Sequence, residues 1–308
     1  MDMQHDVHSI IGINWGSSNL RAYLIDASGQ MVDSLETPAG VAGLDRDGMV
    51  AAADAIRQRW PAAGHVYAAG MIGSTVGWVD AGYVDCPAGV TDVARNLVTA
   101  HIGTLSMRIV PGMACVRTAD GAPDVLRGEE TELLGLLAGG GIEATSIVAL
   151  PGTHTKWIEL VDGRVHSFMT AMSGELFDRL ASGGLLASVL EGPGDAGPAF
   201  AEGMRAAVRG GLGLGTLLFG VRARVVRGVL PRTESSAYLR GLLAGAEIAD
   251  ALALYPQLQQ ACVPLIGSAP VCRLYQAALA GMGIASRPVA SADAVVRGFH
   301  ALHQLAAS

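Results

Sequence analysis

Three short segments combine glycine with polar side chains, mostly hydroxyls, at the end of a predicted strand, and this pattern could bind phosphate. A tight turn without bulky side chains lets backbone N–H groups approach an anion, and neighbouring hydroxyls add donors. The third segment precedes a predicted helix, whose N-terminus attracts anions such as a phosphate and could also meet an adenosine. Taken alone, each segment also fits an ordinary polar turn. The residues concerned are Gly16, Ser17, Ser18, Gly152, Thr153, His154, Gly267 and Ser268.

Two of these segments lie in a sequence pattern that occurs twice. When GINWGSSNLRAYLIDASGQMVDSLETPAG is aligned with VALPGTHTKWIELVDGRVHSFMTAMSG, Gly16 falls on Gly152 and Asp26 falls on Asp162. Each copy reads as strand, glycine turn, strand, second turn and third strand, which predicts a three-stranded antiparallel meander. The repeat favours a duplicated domain, with chance similarity of two hairpins as the alternative. Two facing hairpins could hold the β- and γ-phosphates of a nucleotide across a cleft.

The remaining segments predict the helices and strands that position these turns. DGMVAAADAIRQRW has helical spacing, and HVYAAG is a short buried strand. In the second half, helical patterns run over residues 174–220 and 233–255, followed by the strand CVPLIGS and two further helices. The economical architecture is α/β, with two duplicated mixed-sheet lobes around a central cleft. Clustered glycines at 138–146 indicate domains at residues 1–143 and 144–308, and the last helix could pack on the N-terminal lobe.

Composition argues against several classes of function. The 308-residue chain has a formal net charge of −7 and no basic stripe, which argues against nucleic-acid binding. Its most apolar stretches are interrupted by charge or glycine, so they are predicted to be buried helices rather than membrane spans. The polar start MDMQHDVHS shows no secretory signal, and the four cysteines, without metal-type spacing, are expected to be reduced core thiols. We therefore expect a cytoplasmic globular protein, and leave its oligomeric state open, with a homodimer as one option.

Five sequence blocks resemble those of the 2-dehydro-3-deoxygalactonokinases, a family of the sugar kinase/Hsp70/actin ATPase superfamily. The blocks are NWGSSNLRAYL, AAGMIGSTVGWVDAGYV, LRGEETELLG, LPGTHTKWIEL and MTAMSGELF. The resemblance implies a two-lobed actin-like ATPase fold of the ribonuclease H-like type. It also implies that ATP and Mg²⁺ serve to phosphorylate the 6-hydroxyl of 2-dehydro-3-deoxy-D-galactonate in galactonate catabolism. The alternatives are a kinase of another sugar or aldonic acid, and a catalytically impaired nucleotide-binding sensor.

The resemblance assigns catalytic roles to individual residues. A kinase that acts on an alcohol needs a carboxylate to accept the hydroxyl proton, and the family pattern puts it at Glu129 or Glu130 in LRGEETELLG. Glutamates in a first helical turn also interact favourably with the helix dipole without any catalysis. Lys156 either adds charge at the phosphates or faces solvent. In MSGELF, Ser173 is predicted to cap a helix that begins near Glu175.

An acid-sugar substrate carries a carboxylate, and arginine can donate two parallel N–H bonds to such a group. Arg127 lies beside the candidate base, and Arg21 follows Asn19 on the strand that leaves the first hairpin. Either arginine could instead belong to a structural ion pair. Other candidate substrate-binding residues, for which packing at the edge of the core is the alternative in the two aromatic cases, are Gly73, Ser74, Trp78 and Tyr83.

The first motif departs from the family pattern at one position. Asn14 stands where the family usually has an aspartate that helps to hold the Mg²⁺ of Mg-ATP. An amide oxygen can orient a metal-bound water but brings no negative charge, and Mg²⁺ favours carboxylates. We expect Asn14 to act through water, with the activity either lowered or compensated by a nearby carboxylate.

Overall fold

The computed structural model describes residues 9–209 and 211–306. Residues 1–8, which carry most of the segment interpreted as lacking a secretory signal, lie outside the described residues. The described chain forms two compact units. The first holds the residues up to Thr145, Leu160–Ser167 and the chain from Ser291 onward; the second holds Ser146–Glu159 and Phe168–Ala290.

The chain begins with the predicted meander. Strands β1 and β2 pair antiparallel from Ile10 opposite Ile25 to Trp15 opposite Leu20, and β3 pairs antiparallel with β2. The elements up to the first glycine cluster are β1 (Ile10–Trp15), β2 (Leu20–Ile25), β3 (Met31–Thr37), α1 (Arg46–Arg59), β4 (His65–Ala69), β5 (Tyr83–Asp85), α2 (Val90–Arg95), β6 (Val98–Ile102), β7 (Leu105–Ile109), β8 (Gly112–Val116), β9 (Pro123–Leu126) and α3 (Glu129–Ala138).

The rest of the chain opens with a second run of three neighbouring strands. Its elements are β10 (Ser146–Leu150), β11 (Thr155–Val161), β12 (Arg164–Ala171), α4 (Ser173–Ser182), α5 (Gly184–Ala187), α6 (Pro198–Val208), α7 (Leu214–Val226), α8 (Ser235–Leu254), β13 (Cys262–Ile266), α9 (Ala269–Gly281), β14 (Ala285–Val289) and α10 (Ala294–Ala306). The helical patterns predicted over residues 174–220 form four helices, separated by segments that contain glycines with positive φ, including Gly184 (+77°) and Gly192 (+89°).

The five strands of the second large sheet follow the same order as the first five strands of the six-stranded first sheet. The first runs β3-β2-β1-β4-β7-β6, and the second runs β12-β11-β10-β13-β14. In the first sheet, β1 pairs parallel with β4, and β4 pairs parallel with β7. In the second sheet, β10 pairs parallel with β13, and β13 pairs parallel with β14. Parallel neighbours need a crossover, which α1 provides before β4 and the helices α4–α8 provide before β13. This equal order confirms the duplication and the predicted fold class, α/β with the mixed sheets of a ribonuclease H-like, actin-like ATPase.

The first sheet is covered on both faces. Ile11, Ile13 and Trp15 of β1 are fully buried in a cluster with residues of α1. On the opposite face, Gly12 leaves room for the ring of Phe299 in α10, and α10 packs in turn against α3. The helix that begins at the candidate base therefore rests on a helix from the end of the chain.

Two composition-based expectations have structural outcomes. Cys115 and Cys272 are buried as predicted, but Cys262 is exposed at the start of β13, so the expectation of a core thiol is wrong there. None of the helices in residues 9–209 and 211–306 has both the length and the apolar character that crossing a bilayer requires.

Candidate functional site

The turn between β1 and β2 presents the predicted phosphate-binding residues 16–18 in the first unit, with both serines exposed. The carbonyl oxygens of residues 16–18 accept hydrogen bonds of 2.9–3.2 Å from the backbone N–H groups of residues 40–42. A Cβ at Gly40 would overlap Ser17 O, so only glycine allows this approach. The segment 40–42 therefore holds the turn on one side through the carbonyl groups of the turn. An ordinary hairpin turn does not need such a second segment.

The turn between β10 and β11 has the same kind of support in the second unit. Residues 152–154 are exposed, and Thr153 O accepts a 3.0 Å hydrogen bond from the N–H of Glu175 near the start of α4. A Cβ at Gly174 would overlap Gly152 O. Gly40 and Gly174 are the last residues of the two aligned copies, so the repeat extends to the glycine that contacts each turn.

A pocket of about 390 Å³ opens beside this second turn, entirely within the second unit. Of the predicted nucleotide-binding residues, Gly152, Thr153 and Ser268 line it, whereas His154, Lys156 and Gly267 do not. Ser268 is the residue before α9, whose N-terminus adjoins the pocket. The lining residues are Pro151, Gly152, Thr153, Ser173, Gly174, Phe177, Asp178, Phe200, Arg240, Leu243, Ala244, Ser268, Val271, Leu274 and Tyr275.

His154 and Lys156 make specific contacts next to the turn. His154 Nε2 lies 2.6 Å from Glu175 Oε2, and this hydrogen bond lowers the pKa of Glu175. Lys156 is buried, and its Nζ donates to Thr170 Oγ1 of the neighbouring β12 at 2.9 Å. The alternative that Lys156 faces solvent is therefore wrong, because both faces of β11 are covered where it lies.

Two polar residues that line the pocket, Arg240 and Tyr275, were not predicted from the sequence. The guanidinium of Arg240 stacks on the ring of Phe177 at 3.9 Å, and both residues line the pocket. Tyr275 on α9 also lines it, while its hydroxyl lies 2.9 Å from Thr155 Oγ1. These residues come from α4, α8 and α9, and nothing in a short motif connects them. The predicted cap is also different: α4 begins at Ser173, after Met172, and the Ser173 side chain hydrogen-bonds Glu247 instead.

The candidate base lies at the start of α3 in the first unit. Gly128 precedes the helix with φ of +105°, a backbone conformation that favours glycine, and its N–H donates to Glu130 Oε2 at 2.6 Å. Glu130 is 0 % exposed, and burial first, then the neighbouring Glu129 charge, raise its pKa to about 8. Glu129 is half-buried. The two glutamates therefore occupy different environments: Glu130 is fully enclosed in the protein, whereas Glu129 is half-buried, with its Oε2 enclosed.

Arg127 lies directly before this turn with its side chain only 6 % exposed. Its Nη2 donates to Gly82 O at 2.9 Å, and its guanidinium lies over the Tyr83 ring at 4.5 Å. Asp80 is more distant, at 3.9 Å, and largely exposed. Within the described part of the chain, Nε and Nη1 of Arg127 are buried without a hydrogen-bond partner. A buried donor without a partner costs about 1–3 kcal/mol, so an anionic ligand that accepts from these groups would be stabilised.

The loop after β4 supplies the neighbours of this arginine. A Cβ at Gly73 would lie 3.0 Å from Arg127 Nη1, so the glycine backbone borders the guanidinium. Ser74 donates its hydroxyl to Met71 O at 2.7 Å, which closes the local turn. Trp78 packs against the core and carries the Arg46 guanidinium at 4.0 Å, so the core-edge alternative holds for Trp78. The structure thus brings Gly73, Tyr83, Arg127 and the start of α3 together.

The other predicted substrate residues lie on the first hairpin. Arg21 forms a 2.9 Å ion pair with Glu36 of β3, and both side chains are at least half exposed. The structural ion pair left open for Arg21 is therefore present. Asn19 is exposed, and its carbonyl oxygen accepts from the N–H of Gly16. That the turns at residues 16–18 and 152–154 face each other stays a prediction.

Asn14 is the residue before the last one of β1, with Arg21 of β2 and Ala69 of β4 as its register partners. Neither partner is a carboxylate, so the strands beside Asn14 supply no obvious replacement for an aspartate. The described residues contain no group of three or more His, Cys, Asp or Glu side chains that could hold a metal ion. Mg²⁺ often keeps several waters and binds through one or two protein oxygens together with substrate phosphates, and the amide oxygen of Asn14 fits such a role.

Comparisons with known proteins agree on one family. Residues 14–302 match the family model described as 2-keto-3-deoxy-galactonokinase. A Rhizobium meliloti protein assigned as a 2-dehydro-3-deoxygalactonokinase is 34% identical over 294 residues, which is 94% of each chain. The 2-dehydro-3-deoxygalactonokinase of Escherichia coli is 34% identical over 298 residues, covering 95% of this chain and 96% of that protein. A crystal structure from Sinorhizobium meliloti with the same assignment aligns with a TM-score of 0.85 at 32% identity, covering 96% and 98% of the two chains.

Proposed function

The chain belongs to the 2-keto-3-deoxy-galactonokinase family, as its motifs predicted, and on this premise we propose that it phosphorylates 2-dehydro-3-deoxy-D-galactonate at the 6-hydroxyl with ATP. The observation that carries the proposal is Arg127, whose buried Nε and Nη1 have no partner among the described residues. A buried guanidinium with two unused donors fits an anionic substrate, which can accept hydrogen bonds from both. We propose that Arg127 binds the substrate carboxylate.

Glu129 is the proposed base. Glu129 is half-buried at the start of α3 and its Oε2 is enclosed, so Oε1 would be the oxygen that meets a substrate hydroxyl, whereas the fully buried Glu130 already accepts from the Gly128 N–H. Glu129 would accept the hydroxyl proton while the oxygen forms a bond to the γ-phosphorus, and the bond from that phosphorus to the bridging oxygen breaks to release ADP. Glu130 would act as a positioning residue, because its bond to Gly128 fixes the turn that carries Glu129.

The second unit is the proposed nucleotide site. Its pocket combines exposed backbone at Gly152 and Thr153, the start of α9 at Ser268, and the stacked pair Arg240 and Phe177. Backbone N–H groups and a helix N-terminus suit phosphate, and an aromatic–guanidinium pair offers a flat surface for a base. Mg²⁺ would neutralise phosphate charge, with Asn14 contributing a water contact. We also propose a cytoplasmic location, where the four free cysteines stay reduced.

The proposal is tested by coupled ADP release with Mg-ATP across a panel of acid and neutral sugars. The wild type is expected to turn over 2-dehydro-3-deoxy-D-galactonate, and Arg127→Gln to lose about 10- to 150-fold in kcat/KM, the value of a hydrogen bond to a charged group. Arg59→Gln, which removes an exposed arginine paired with Asp33, is the matched control and should change little. A preference for neutral sugars, or an unaffected Arg127 variant, would contradict the proposal.

A further inference from the structure

Helix α8 carries a buried carboxylate in the second unit that the proposed reaction does not use. Glu247 is only 3 % exposed, and most of its neighbours on α8 are apolar. Trp157 Nε1 donates to its Oε1 at 2.8 Å, and the Tyr275 hydroxyl donates to its Oε2 at 2.9 Å. Ser173, the first residue of α4, adds a third side-chain hydrogen bond. Burying a carboxylate is costly unless such donors compensate it, so the three bonds are what allow Glu247 to remain there.

The carboxylate determines the direction of a hydrogen-bond chain that leads to the β10–β11 turn. Burial raises the pKa of Glu247, whereas its three donors favour the ionised form, which can only accept, so the hydrogen of the Tyr275 hydroxyl points at Glu247. The Tyr275 oxygen must then accept from Thr155 Oγ1, 2.9 Å away. With its hydrogen used, Thr155 Oγ1 can accept in turn, and the Gly152 N–H lies 3.5 Å from it. The Thr155 side chain thereby links the two ends of the turn through the Gly152 N–H.

The same carboxylate also reaches the segment that contacts this turn from the other side. Ser173 begins α4, and the next two residues touch the turn: Gly174 lies against Gly152 O, and the Glu175 N–H donates to Thr153 O. Gly152, Thr153, Ser173, Gly174 and Tyr275 all line the 390 Å³ pocket, whereas Glu247 does not. Glu247 is thus connected through hydrogen bonds to the β10–β11 turn and to the start of α4, although it does not line the pocket itself.

We propose that Glu247 is a positioning residue for nucleotide binding: through Tyr275–Thr155 and through Ser173 it fixes the β10–β11 turn and the start of α4 in the arrangement that receives the ATP phosphates. This inference rests on the proposed nucleotide site. It assigns to a residue outside the pocket a share of the affinity for ATP and none of the affinity for the acid sugar, whose proposed site lies in the first unit.

Two variants and one control test the proposal. Glu247→Gln keeps the shape but presents an NH₂ group where a donor now points, so the chain must break or reverse. Thr155→Val removes the link at a fully buried position and leaves the bonds of Glu247 to Trp157 and Ser173 in place. Tyr238→Phe is the matched control, because the Tyr238 hydroxyl, also buried on α8, has no hydrogen-bond partner in the described part of the chain.

The measurements are calorimetric Kd values for Mg-ATP and for 2-dehydro-3-deoxy-D-galactonate, and the indole ¹H–¹⁵N resonance of Trp157. We expect both variants to bind ATP at least tenfold more weakly with the sugar Kd within twofold of wild type, and Tyr238→Phe to behave as wild type. The indole resonance should move in Glu247→Gln and stay in Thr155→Val. ATP binding within twofold of wild type in either variant, or an equal loss for both ligands, would overturn the inference. A wild type that binds no ATP would instead overturn the proposed function.

Discussion

The buried Glu130 should make the free energy of unfolding depend on pH. Burial raises its pKa from 4.5 to about 8, so between these values the folded protein keeps a proton that the unfolded chain has released. The folded state binds more protons over this range, and the free energy of unfolding therefore falls as the pH rises. At about 1.4 kcal/mol per pH unit, the whole interval corresponds to roughly 5 kcal/mol, and the part between pH 5.5 and pH 8.5 to about 3 kcal/mol.

Glu130→Gln removes this titration with little change in shape. The glutamine oxygen can accept from the Gly128 N–H as Oε2 does, and the amide nitrogen replaces Oε1, which has no hydrogen-bond partner among the described residues. A protonated carboxyl group also places a donor there, so the variant and the wild type should differ little at pH 5.5. At pH 8.5 the variant should be the more stable of the two, by about 3 kcal/mol relative to their difference at pH 5.5.

The assay is urea unfolding of both proteins at pH 5.5, 7.0 and 8.5, followed by tryptophan fluorescence. The difference between the two proteins isolates Glu130, because every other titrating group is present in both. Glu234→Gln, which removes an exposed carboxylate, controls for the change in net charge. The inference that folded Glu130 is buried and protonated would be wrong if the difference in unfolding free energy between wild type and Glu130→Gln changed by less than about 0.5 kcal/mol over this pH range.

Three further outcomes are expected. Asn14→Asp should raise kcat several-fold and tighten Mg²⁺-dependent ATP binding, because a carboxylate replaces the amide; an unchanged rate would show that Asn14 lies away from the ion. Gly174→Ala should destabilise the protein by about 1–3 kcal/mol through overlap with Gly152 O and weaken ATP binding, whereas Gly183→Ala, which meets no atom within 4 Å, should do neither in calorimetry. A thiol reagent should modify the exposed Cys262 quickly and the buried Cys272 slowly, since burial also raises the pKa of Cys272; equal rates in mass spectrometry would contradict this.

The parts of the fold that the sequence predicted are those in which local chemistry decides the structure. Glycine turns between alternating strands predicted both meanders, and the repeat predicted a duplicated domain. Lys156 shows where alternation fails: in TKWIEL its neighbours suggested a solvent-facing side chain, yet residues 155–158 are all buried because both faces of β11 are covered. Period-two patterning assumes one wet face, and a central strand of an α/β sheet does not have one.

The site residues that escaped prediction are those whose partners are distant in the chain. Ser173 was expected to cap α4, since serine before a helix commonly does so, but its side chain bonds to Glu247 from another helix. Glu247 itself stands in AGAEIAD, where nothing distinguishes it from a solvent-facing glutamate. Its bond to Trp157 spans 90 positions and its bond to Tyr275 spans 28. Such a network becomes visible only when the sheet and helices have brought the donors together.

The two hairpin turns suggest what a phosphate-binding turn of this kind requires. Across a trans peptide bond the C=O and N–H groups point in opposite directions, so a peptide group whose carbonyl is engaged on one side of a turn presents its N–H on the other side. In the first copy the N–H groups of residues 40–42 engage the carbonyls of residues 16–18, and in the second copy Glu175 engages Thr153 O. The side chains differ between the copies, since Ser17 and Ser18 correspond to Thr153 and His154. What both copies share is a glycine that lets a neighbouring segment reach those carbonyls, so we propose that the orientation of the backbone, more than the hydroxyls, would let these turns hold an anion.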